Sequence, residues 1–383
     1  MANDTLPHWL IHHASIQPKR VALRHKHLGI WHEQSWKSLR SEIGQLVDIL
    51  DKLGFGRGDT LVLLTHPRRE ALLLSLAAQW LGGIAAPLDP SLEDDHVALL
   101  LRYLNPVFVF AEGQRQVDQT LANSRQDVNV IYAEDRGLSA YPQTALQHYA
   151  ELLRITPAAS RAPVAEAGQS AFALYRVNGE RNVQVEHFHH DELLEEGRHL
   201  VFAERLSQHE EALAARVFAA SGHLRYLLSP WLTAGFTLNF PENIATRDAD
   251  RRELGPTLVA GTRETYQRLE SLVRERLPVP NSLTGRLVTY ALRADGDVFQ
   301  RFLGYWLVKR PLRDVIGFSR IRVPLLIGPA LPVDSLQFFK TLGIHIRTWD
   351  KVANWRTLST TTSRQLPSVH DTDVEADNIT KAS

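Results

Sequence analysis

The first half of the chain alternates between helical and extended hydrophobic patterns. Residues 35–53 predict an amphipathic helix, because apolar residues recur every three or four positions, at Leu39, Ile43, Leu46, Val47 and Leu50. The run TLVLLT (60–65) is short and almost continuously apolar, which is typical of a buried strand. By the same criteria we predict further helices at 68–81 and 91–104 and further strands at 83–89, 107–112 and 128–134.

The glycines of GFGRGD (54–59) lie between the predicted helix at 35–53 and the strand at 60–65. A dinucleotide-binding loop has the opposite order, because it follows a strand and opens a helix. We therefore interpret these glycines as a helix C-cap and a turn.

The second half repeats the alternation. Strands are predicted at 171–177, near 215–220, and at 236–240, 257–262, 323–328 and 344–349. Helices are predicted from Asp191, at 223–235, after Arg263 and at 333–343. Interleaved helices and short apolar strands favour an α/β fold with mostly parallel sheets that are covered on both faces.

Composition suggests where the domains divide. The polar, Ala- and Pro-rich stretch RITPAASRAPVAEAG (154–168) predicts a linker between an α/β subdomain at 1–153 and a second one at 169–355. Residues 356–383 are rich in Ser, Thr and Asp and contain few large apolar residues, so they predict a disordered tail.

Charge and cysteine content exclude several classes of function. Lys plus Arg and Asp plus Glu both total 43, so no net field would attract nucleic acid or an anionic membrane. The chain has no cysteine, which excludes disulfides, thiolate metal ligands and a cysteine nucleophile. No apolar run reaches the roughly 20 residues of a membrane helix, and the opening MANDTLPHW lacks the pattern of an export signal, so we expect a cytoplasmic protein.

Several stretches resemble the adenylate-forming (AMP-binding) superfamily, specifically its long-chain acyl-CoA synthetase branch. They include LGFGRGDTLVLL, AAQWLGGIAAPLDPSL, LGPTLVAGTRETYQRLESLVRERL and RIRVPLLIGPALPVDSLQFFKTLGI, in the family's order and spacing. The resemblance runs from about Thr5 to about Asn354. It implies two stacked βα-layered subdomains of the family's large domain.

The family's phosphate loop reads Y-T-S-G-T-T-G-x-P-K-G-V and is followed by S-H-x-N-L. Tyr175 to Leu193 spans the same number of positions as this pattern, and Tyr175, His190 and Leu193 are retained. The family's other loop positions are occupied here by Arg176, Val177, Asn178, Gly179, Glu180, Arg181, Val183, Gln184 and Val185.

These replacements remove the chemistry of a phosphate loop. Such loops hold phosphate oxygens with backbone N–H groups at close range, which requires glycine, and add a lysine for charge. Gln184 occupies the lysine position, Glu180 would repel a triphosphate, and no lysine occurs between Lys52 and Lys309. The sequence therefore predicts the scaffold of the loop without its function.

A second family motif, G-Y-G-x-T-E, assists the nucleotide and magnesium. It aligns with WDKVAN, which begins with Trp349 and Asp350 and places Ala353 and Asn354 at the Thr and Glu positions. Ala219 falls where the family closes its acyl pocket with an aromatic residue or histidine. The resemblance further implies a complete β-barrel and a C-terminal lid, but we find no segment that matches either. Because the residues that assist the nucleotide and the metal in the family are replaced, we predict neither a cofactor nor a metal.

Two other chemistries find little support. His187 and His190 are three residues apart and could share a helical face with Glu186 or Asp191 as metal ligands. However, His190 matches a non-metal histidine of the family. Ser221, in AASGH, has a glycine on one side only and so does not match the G-x-S-x-G elbow of a hydrolase nucleophile.

The leading hypothesis is a non-catalytic acyl-CoA synthetase homologue that binds a protein partner or forms a homodimer. The predicted interface combines residues 346–349 with the loop 176–186, where Arg176, Glu180 and Arg181 surround Val177 and Val183. One alternative is an active AMP-dependent ligase, alone or as one part of a split enzyme. Another is a sensor of acyl chains or acyl-CoA.

Overall fold

The computed structural model describes most of the chain. The described residues are 4–141, 146–155, 161–215, 218–278, 304–351 and 355–358, with the single positions 282, 285, 288 and 302. Within these ranges no helix is both long enough and apolar enough to cross a membrane.

Helices and strands alternate through the described ranges. The strands are β1 (Val21–His27), β2 (Ile30–Ser35), β3 (Thr60–Leu64), β4 (Ile84–Leu88), β5 (Phe108–Ala111), β6 (Asn129–Tyr132), β7 (Leu146–His148), β8 (Ser170–Val177), β9 (Val183–His189), β10 (Glu211–Leu213), β11 (Thr237–Phe240), β12 (Leu258–Gly261), β13 (Val323–Ile327), β14 (Arg347–Trp349) and β15 (Arg356–Thr357). The helices are α1 (Leu6–Ile16), α2 (Trp36–Lys52), α3 (Arg69–Trp80), α4 (Asp94–Leu104), α5 (Gln114–Asn123), α6 (Tyr149–Ile155), α7 (His190–Glu204), α8 (Ser221–His223), α9 (Ser229–Ala234), α10 (Arg247–Leu254), α11 (Arg263–Arg274), α12 (Arg310–Val315) and α13 (Val333–Thr341). Two π-helical turns, Leu224–Leu228 and Tyr305–Lys309, lead into α9 and α12.

The strands form two mainly parallel sheets. The first has the order β15-β9-β8-β4-β3-β5-β6-β7, and the second has the order β14-β13-β12-β10-β11-β1-β2. Among the strands of the described ranges, antiparallel pairing is confined to β1 with β2, β8 with β9, and β9 with β15. The predicted α/β class is thus confirmed, and the described residues contain no closed barrel.

The two sheets do not coincide with the predicted subdomains 1–153 and 169–355. β1 and β2 lie in the second sheet, where Leu23 of β1 is in register with Leu238 of β11, whereas β8 and β9 complete the first sheet. Local hydrophobic patterns identify a strand but carry no information about which distant strand it will join. The β1–β2 hairpin and β9 were not predicted, and the strand expected near 215–220 lies earlier, at β10.

A layer of helices is shared by both sheets. Alternate residues of β3 point to opposite sides, so that Leu61 and Leu63 join one buried cluster while Val62 joins another with α4 and α5. On β12, Leu258 belongs to the same cluster as Leu61, and Val259 faces α11 to α13. Because this common cluster also contains α1, α2, α3, α7 and α9, these helices fill the space between the sheets.

Close contacts hold the shared layer together. The rings of Trp36 and Trp231 stack with centroids 5.0 Å apart, and Trp231 Nε1 donates to the carbonyl of Ala22 at 3.1 Å. Helices α7 and α9 approach so closely at Gly197 that an added Cβ would lie 2.8 Å from the carbonyl carbon of Ser229. A larger residue at 197 would therefore push the two helices apart.

Both segments predicted to be irregular contain ordered parts. At the predicted linker 154–168, the first two residues belong to α6, and the carbonyl of Arg161 accepts a hydrogen bond from Trp80 Nε1 at 2.9 Å. The predicted tail 356–383 begins with β15, which pairs with β9. The N–H of Leu358 then donates to the carbonyl of Val183 at 3.0 Å. Composition did not predict this strand because its pairing depends on main-chain groups. Residues 359–383 lie outside the described residues.

Candidate functional site

The segment that resembles a phosphate loop is a β-hairpin. Strands β8 and β9 pair in antiparallel register as far as Val177 and Val183, which leaves residues 178–182 for the turn. Arg181 adopts a left-handed conformation with φ of 61°, whereas Gly179 does not have a positive φ. Gly179, the only glycine of the turn, is therefore not used for the conformation that only glycine adopts easily.

The amide groups of the turn bond to the turn itself. The Oδ1 of Asn178 accepts from the N–H of Glu180 at 3.1 Å and from the N–H of Asn182 at 2.8 Å. The N–H of Asn178 donates to the carbonyl of Asn182, and the N–H of Arg181 donates to the carbonyl of Asn178. Two amides of the turn are thus already paired with a side-chain oxygen of the protein, whereas a phosphate loop presents such donors to its ligand.

The side chains of the hairpin are held by neighbouring residues. Arg176 Nε donates to Gln184 Oε1 at 2.9 Å, and its guanidinium lies 4.2 Å from the ring centroid of Trp355. Gln184 Nε2 donates in turn to Thr357 Oγ1 at 3.0 Å. The residue at the family's lysine position therefore links β9 to β15.

The predicted interface around this hairpin needs correction. Glu180 and Arg181 are exposed, as an interface would require. Val183, however, is only 5% exposed because it packs in the cluster of α4 and α5, and Glu186 is buried.

Tyr175, which the family pattern retains, is half-buried on β8. Its burial raises the pKa of the phenol to about 12.

The two histidines considered as metal ligands lie on different elements. His187 is on β9, where burial lowers its pKa, and His190 is the first residue of α7. His190 is fully buried, its Nδ1 accepts from the N–H of Leu6 at 3.3 Å, and burial lowers its pKa to about 3. In the described ranges no group of His, Asp and Glu residues has the arrangement of a metal site. Asp191, the fourth residue considered as a ligand, follows His190 on α7 and is half-buried.

A buried ion pair lies behind the hairpin and was not found from the sequence. Glu186 on β9 and Arg225 in the π-helical turn before α9 are 3.2 Å apart, and both are almost inaccessible. Arg225 lies 3.4 Å from Glu196, which also pairs with Lys351. These residues line a cleft of about 760 Å³. The sequence contains one indication of this pair, because Arg225 lies alone in the apolar run HLRYLLSPW. An arginine that is buried in such a run requires a charged partner.

The second predicted motif is only partly described. Trp349 ends β14, donates from Nε1 to Glu204 at 2.8 Å and lies 5.5 Å from the ring of His199. The adjacent Asp350 is exposed. Ala353 and Asn354, the replacements for the family's Thr and Glu, lie outside the described residues.

A second cleft, of about 770 Å³, opens where strands of both sheets end. His66, just after β3, lies 2.7 Å from Glu112 through Nδ1, and its N–H donates to the same carboxylate at 2.9 Å. The hydrogen bond that His66 Nδ1 donates to the carboxylate of Glu112 raises the pKa of His66. Burial alone would raise the pKa of Glu112, but the hydrogen bonds from His66 lower it. A carboxylate that orients an imidazole in this way leaves Nε2 available for proton transfer.

Loss of the Asn178 side chain should loosen the hairpin turn. In Asn178→Ala the amides of Glu180 and Asn182 lose their acceptor, and we expect unfolding free energy to fall by roughly 1 kcal/mol. Hydrogen exchange at these two amides should become faster. Asn182→Ala is the matched control, because it removes only an exposed bond to Glu180. Equal exchange rates in the two variants would contradict the role assigned to Asn178.

The contribution of the His66–Glu112 pair should depend on pH. Stability from the raised pKa of His66 is fully present below its unfolded value near 6.5 and is lost as pH rises through the folded value. Stability from the lowered pKa of Glu112 is present above its unfolded value near 4.5 and is lost as pH falls through the folded value.

A double-mutant cycle with His66→Asn and Glu112→Gln measures this coupling. We expect a coupling free energy of about 1 kcal/mol or less near pH 5.5, because both side chains are partly exposed, and a smaller value at pH 8.5. A coupling that is the same at both pH values would show that His66 is not charged in the pair.

Comparison with known proteins finds one matching family model and similar solved structures. Residues 10–175 match the family model described as AMP-binding enzyme. No curated protein matches the chain. Among solved structures, apo MatB from Rhodopseudomonas palustris superimposes with a TM-score of 0.68 at 17% identity, over 91% of this chain and 59% of MatB.

Two further structures have the same architecture. VinN aligns with a TM-score of 0.67 at 14% identity, over 91% of this chain and 74% of VinN. The anthranilate CoA ligase AuaEII, in complex with anthranoyl-AMP, aligns with a TM-score of 0.67 at 14% identity, over 89% of this chain and 58% of AuaEII. The chain therefore spans less than two thirds of MatB and of AuaEII. It has the fold of the adenylate-forming acid–CoA ligases, and its residues 10–175 match the AMP-binding enzyme family.

Proposed function

We propose that this chain is a non-catalytic homologue of the acid–CoA ligases and that it acts by binding. The observation that carries the proposal is the closed turn of the β8–β9 hairpin. Asn178 Oδ1 accepts from two amides of the turn, so these donors are already satisfied before any nucleotide arrives. A phosphate group would have to displace this oxygen and would gain little in exchange.

The surrounding charges support the same conclusion. Glu180 is exposed on the turn and would repel a triphosphate. The nearby cations Arg225 and Lys351 are paired with Glu186 and Glu196, so little positive charge is left for an anion in the cleft behind the hairpin. The replacement of the family's metal-binding Glu by Asn354 remains a proposal from the sequence.

The purified chain should not adenylate carboxylic acids. With ATP, Mg²⁺ and a panel of short- to long-chain acids, we expect pyrophosphate release no faster than from a heat-inactivated sample. An active acid–CoA ligase in the same assay shows that the conditions support the reaction. Acid-dependent pyrophosphate release that Gln184→Ala or Asn178→Ala abolishes would overturn the proposal, because it would place catalysis at the hairpin.

We also propose that the chain associates with another protein. Three consecutive residues of the π-helical turn before α12 expose apolar surface, with Tyr305, Trp306 and Leu307 exposed by 38%, 47% and 68%. Clustered aromatic and aliphatic side chains at a protein surface frequently form the centre of an interface. This patch is a candidate interface in addition to the exposed hairpin residues Glu180 and Arg181.

Cross-linking in lysate of the native host tests the partnership. We expect a repeatable cross-linked partner whose yield falls in the double variant Trp306→Ser/Leu307→Ser. The yield should be kept in Val333→Ser, which removes an even more exposed apolar side chain on α13. If light scattering shows a monomer and no repeatable cross-link involves residues 305–307 or 176–186, the partnership is refuted.

A further inference from the structure

A third cleft, of about 460 Å³, lies at the carboxyl ends of β10 and β12, where α11 begins. Ligands of α/β proteins commonly bind in the crevice at this end of the strands. Its apolar wall is formed by Pro67, Leu213, Ile244, Val259 and Ala260. Its polar side is formed by Arg247, Arg251 and Arg268, together with Thr262 and Thr265.

Arg251 is buried in this wall with an unsatisfied donor. The residue is 3% exposed, its Nε donates to the carbonyl of Ile316 at 2.8 Å, and its Nη1 contacts Asp248 at 2.8 Å. Its Nη2 is also buried and has no hydrogen-bond partner among the described residues. An unpaired donor on a buried cation costs more free energy than a neutral one, so a missing acceptor is the simplest explanation.

The positive charge of the cleft exceeds the negative charge around it. Arg251 and Arg268 share the single carboxylate of Asp248, and no ion pair of Arg247 is found within the described ranges. Burial, and then the nearby Arg247, lower the pKa of both Arg251 and Arg268. Glu264 also lines the cleft, but it is exposed and therefore screened by water.

The beginning of α11 adds donors on the same side. Helix α11 has 12 residues, and its N-cap Thr262 makes no side-chain bond to the first turn. The hydroxyls of Thr262 and Thr265 lie 3.3 Å apart at the cleft. The N-terminus of a helix carries a partial positive charge and free N–H groups, both of which favour an anion.

We propose that this cleft binds the oxyanion of a small organic ligand, either a carboxylate or a phosphoryl group, with the ligand's apolar body against the wall of Leu213, Ile244 and Val259. Arg251 and Arg247 supply the charge-assisted hydrogen bonds, and the start of α11 supplies the remaining donors. Because the charge excess is small, a group with one or two negative charges and a short apolar body fits better than a large polyanion. This site is separate from the hairpin and does not depend on whether the chain adenylates acids.

Titration calorimetry with three probes of equal chain length tests the site. Hexanoate carries a carboxylate, monohexyl phosphate carries a phosphoryl group, and 1-hexanol carries no charge. We expect saturable binding of one or both anions and none of the alcohol. Binding of only one anion identifies which oxyanion the site prefers, and a failure of both overturns the proposal. Because the site is separate from the hairpin, binding of these probes does not depend on whether the chain releases pyrophosphate in the adenylation assay.

Variants of one helix locate the binding. Arg247→Gln should raise the dissociation constant of the bound anion at least about tenfold, since one charge-assisted hydrogen bond is lost. Arg251→Gln should raise the dissociation constant further, although loss of the bond to Ile316 also lowers the free energy of unfolding. Arg252→Gln is the matched control, because Arg252 is exposed on the same helix and does not line the cleft. Equal weakening by Arg247→Gln and Arg252→Gln would show general charge attraction and overturn the site.

Discussion

Packing of both sheets on one buried helical layer is the constraint on which the rest of this structure depends. The stacked rings of Trp36 and Trp231 lie in that layer, and Gly197 permits the close approach of α7 to α9. Because each sheet buries one face on the same helices, the two halves share this core, and each has a second cluster on its other face. The same packing brings the carboxyl ends of strands from both sheets to common clefts, where His66 and the arginines of α10 meet residues from distant parts of the chain.

The hairpin shows how a fold can persist while its local chemistry changes. β8 is held beside β4 inside the first sheet, and β9 leads directly into α7, so the strands are fixed by the core and not by a ligand. Only residues 178–182 are free of strand pairing. There, the polar side chain of Asn178 satisfies main-chain donors that a glycine-rich loop would leave for phosphate. This closure needs no compensating change in the core, because every group that it uses belongs to the turn.

Buried charge is handled differently at the two ends of the molecule. Behind the hairpin, Arg225 lies between Glu186 and Glu196, so desolvation of its guanidinium is offset by two carboxylates. At the third cleft, Arg251 and Arg268 have only Asp248 between them, and one nitrogen of Arg251 lacks an acceptor. The contrast is informative because both arginines are buried to a similar extent. Nε of Arg225 also has no hydrogen-bond partner among the described residues, but the carboxylate of Glu196 lies 3.4 Å from it, whereas no ion pair of Nη2 of Arg251 is found in the described ranges.

The sequence by itself determined the α/β class, most helices and strands, and the changed residues of the hairpin, because periodicity and loop chemistry are local properties. Only the tertiary structure decided that β1 and β2 join the second sheet, and that β15 pairs with β9. It also decided which charges meet: Glu186 with Arg225, His66 with Glu112, and Asp248 with Arg268. The members of each pair are distant in the chain, and no local pattern records their proximity. Their contacts arise when the shared helical layer forms and brings the strand ends together.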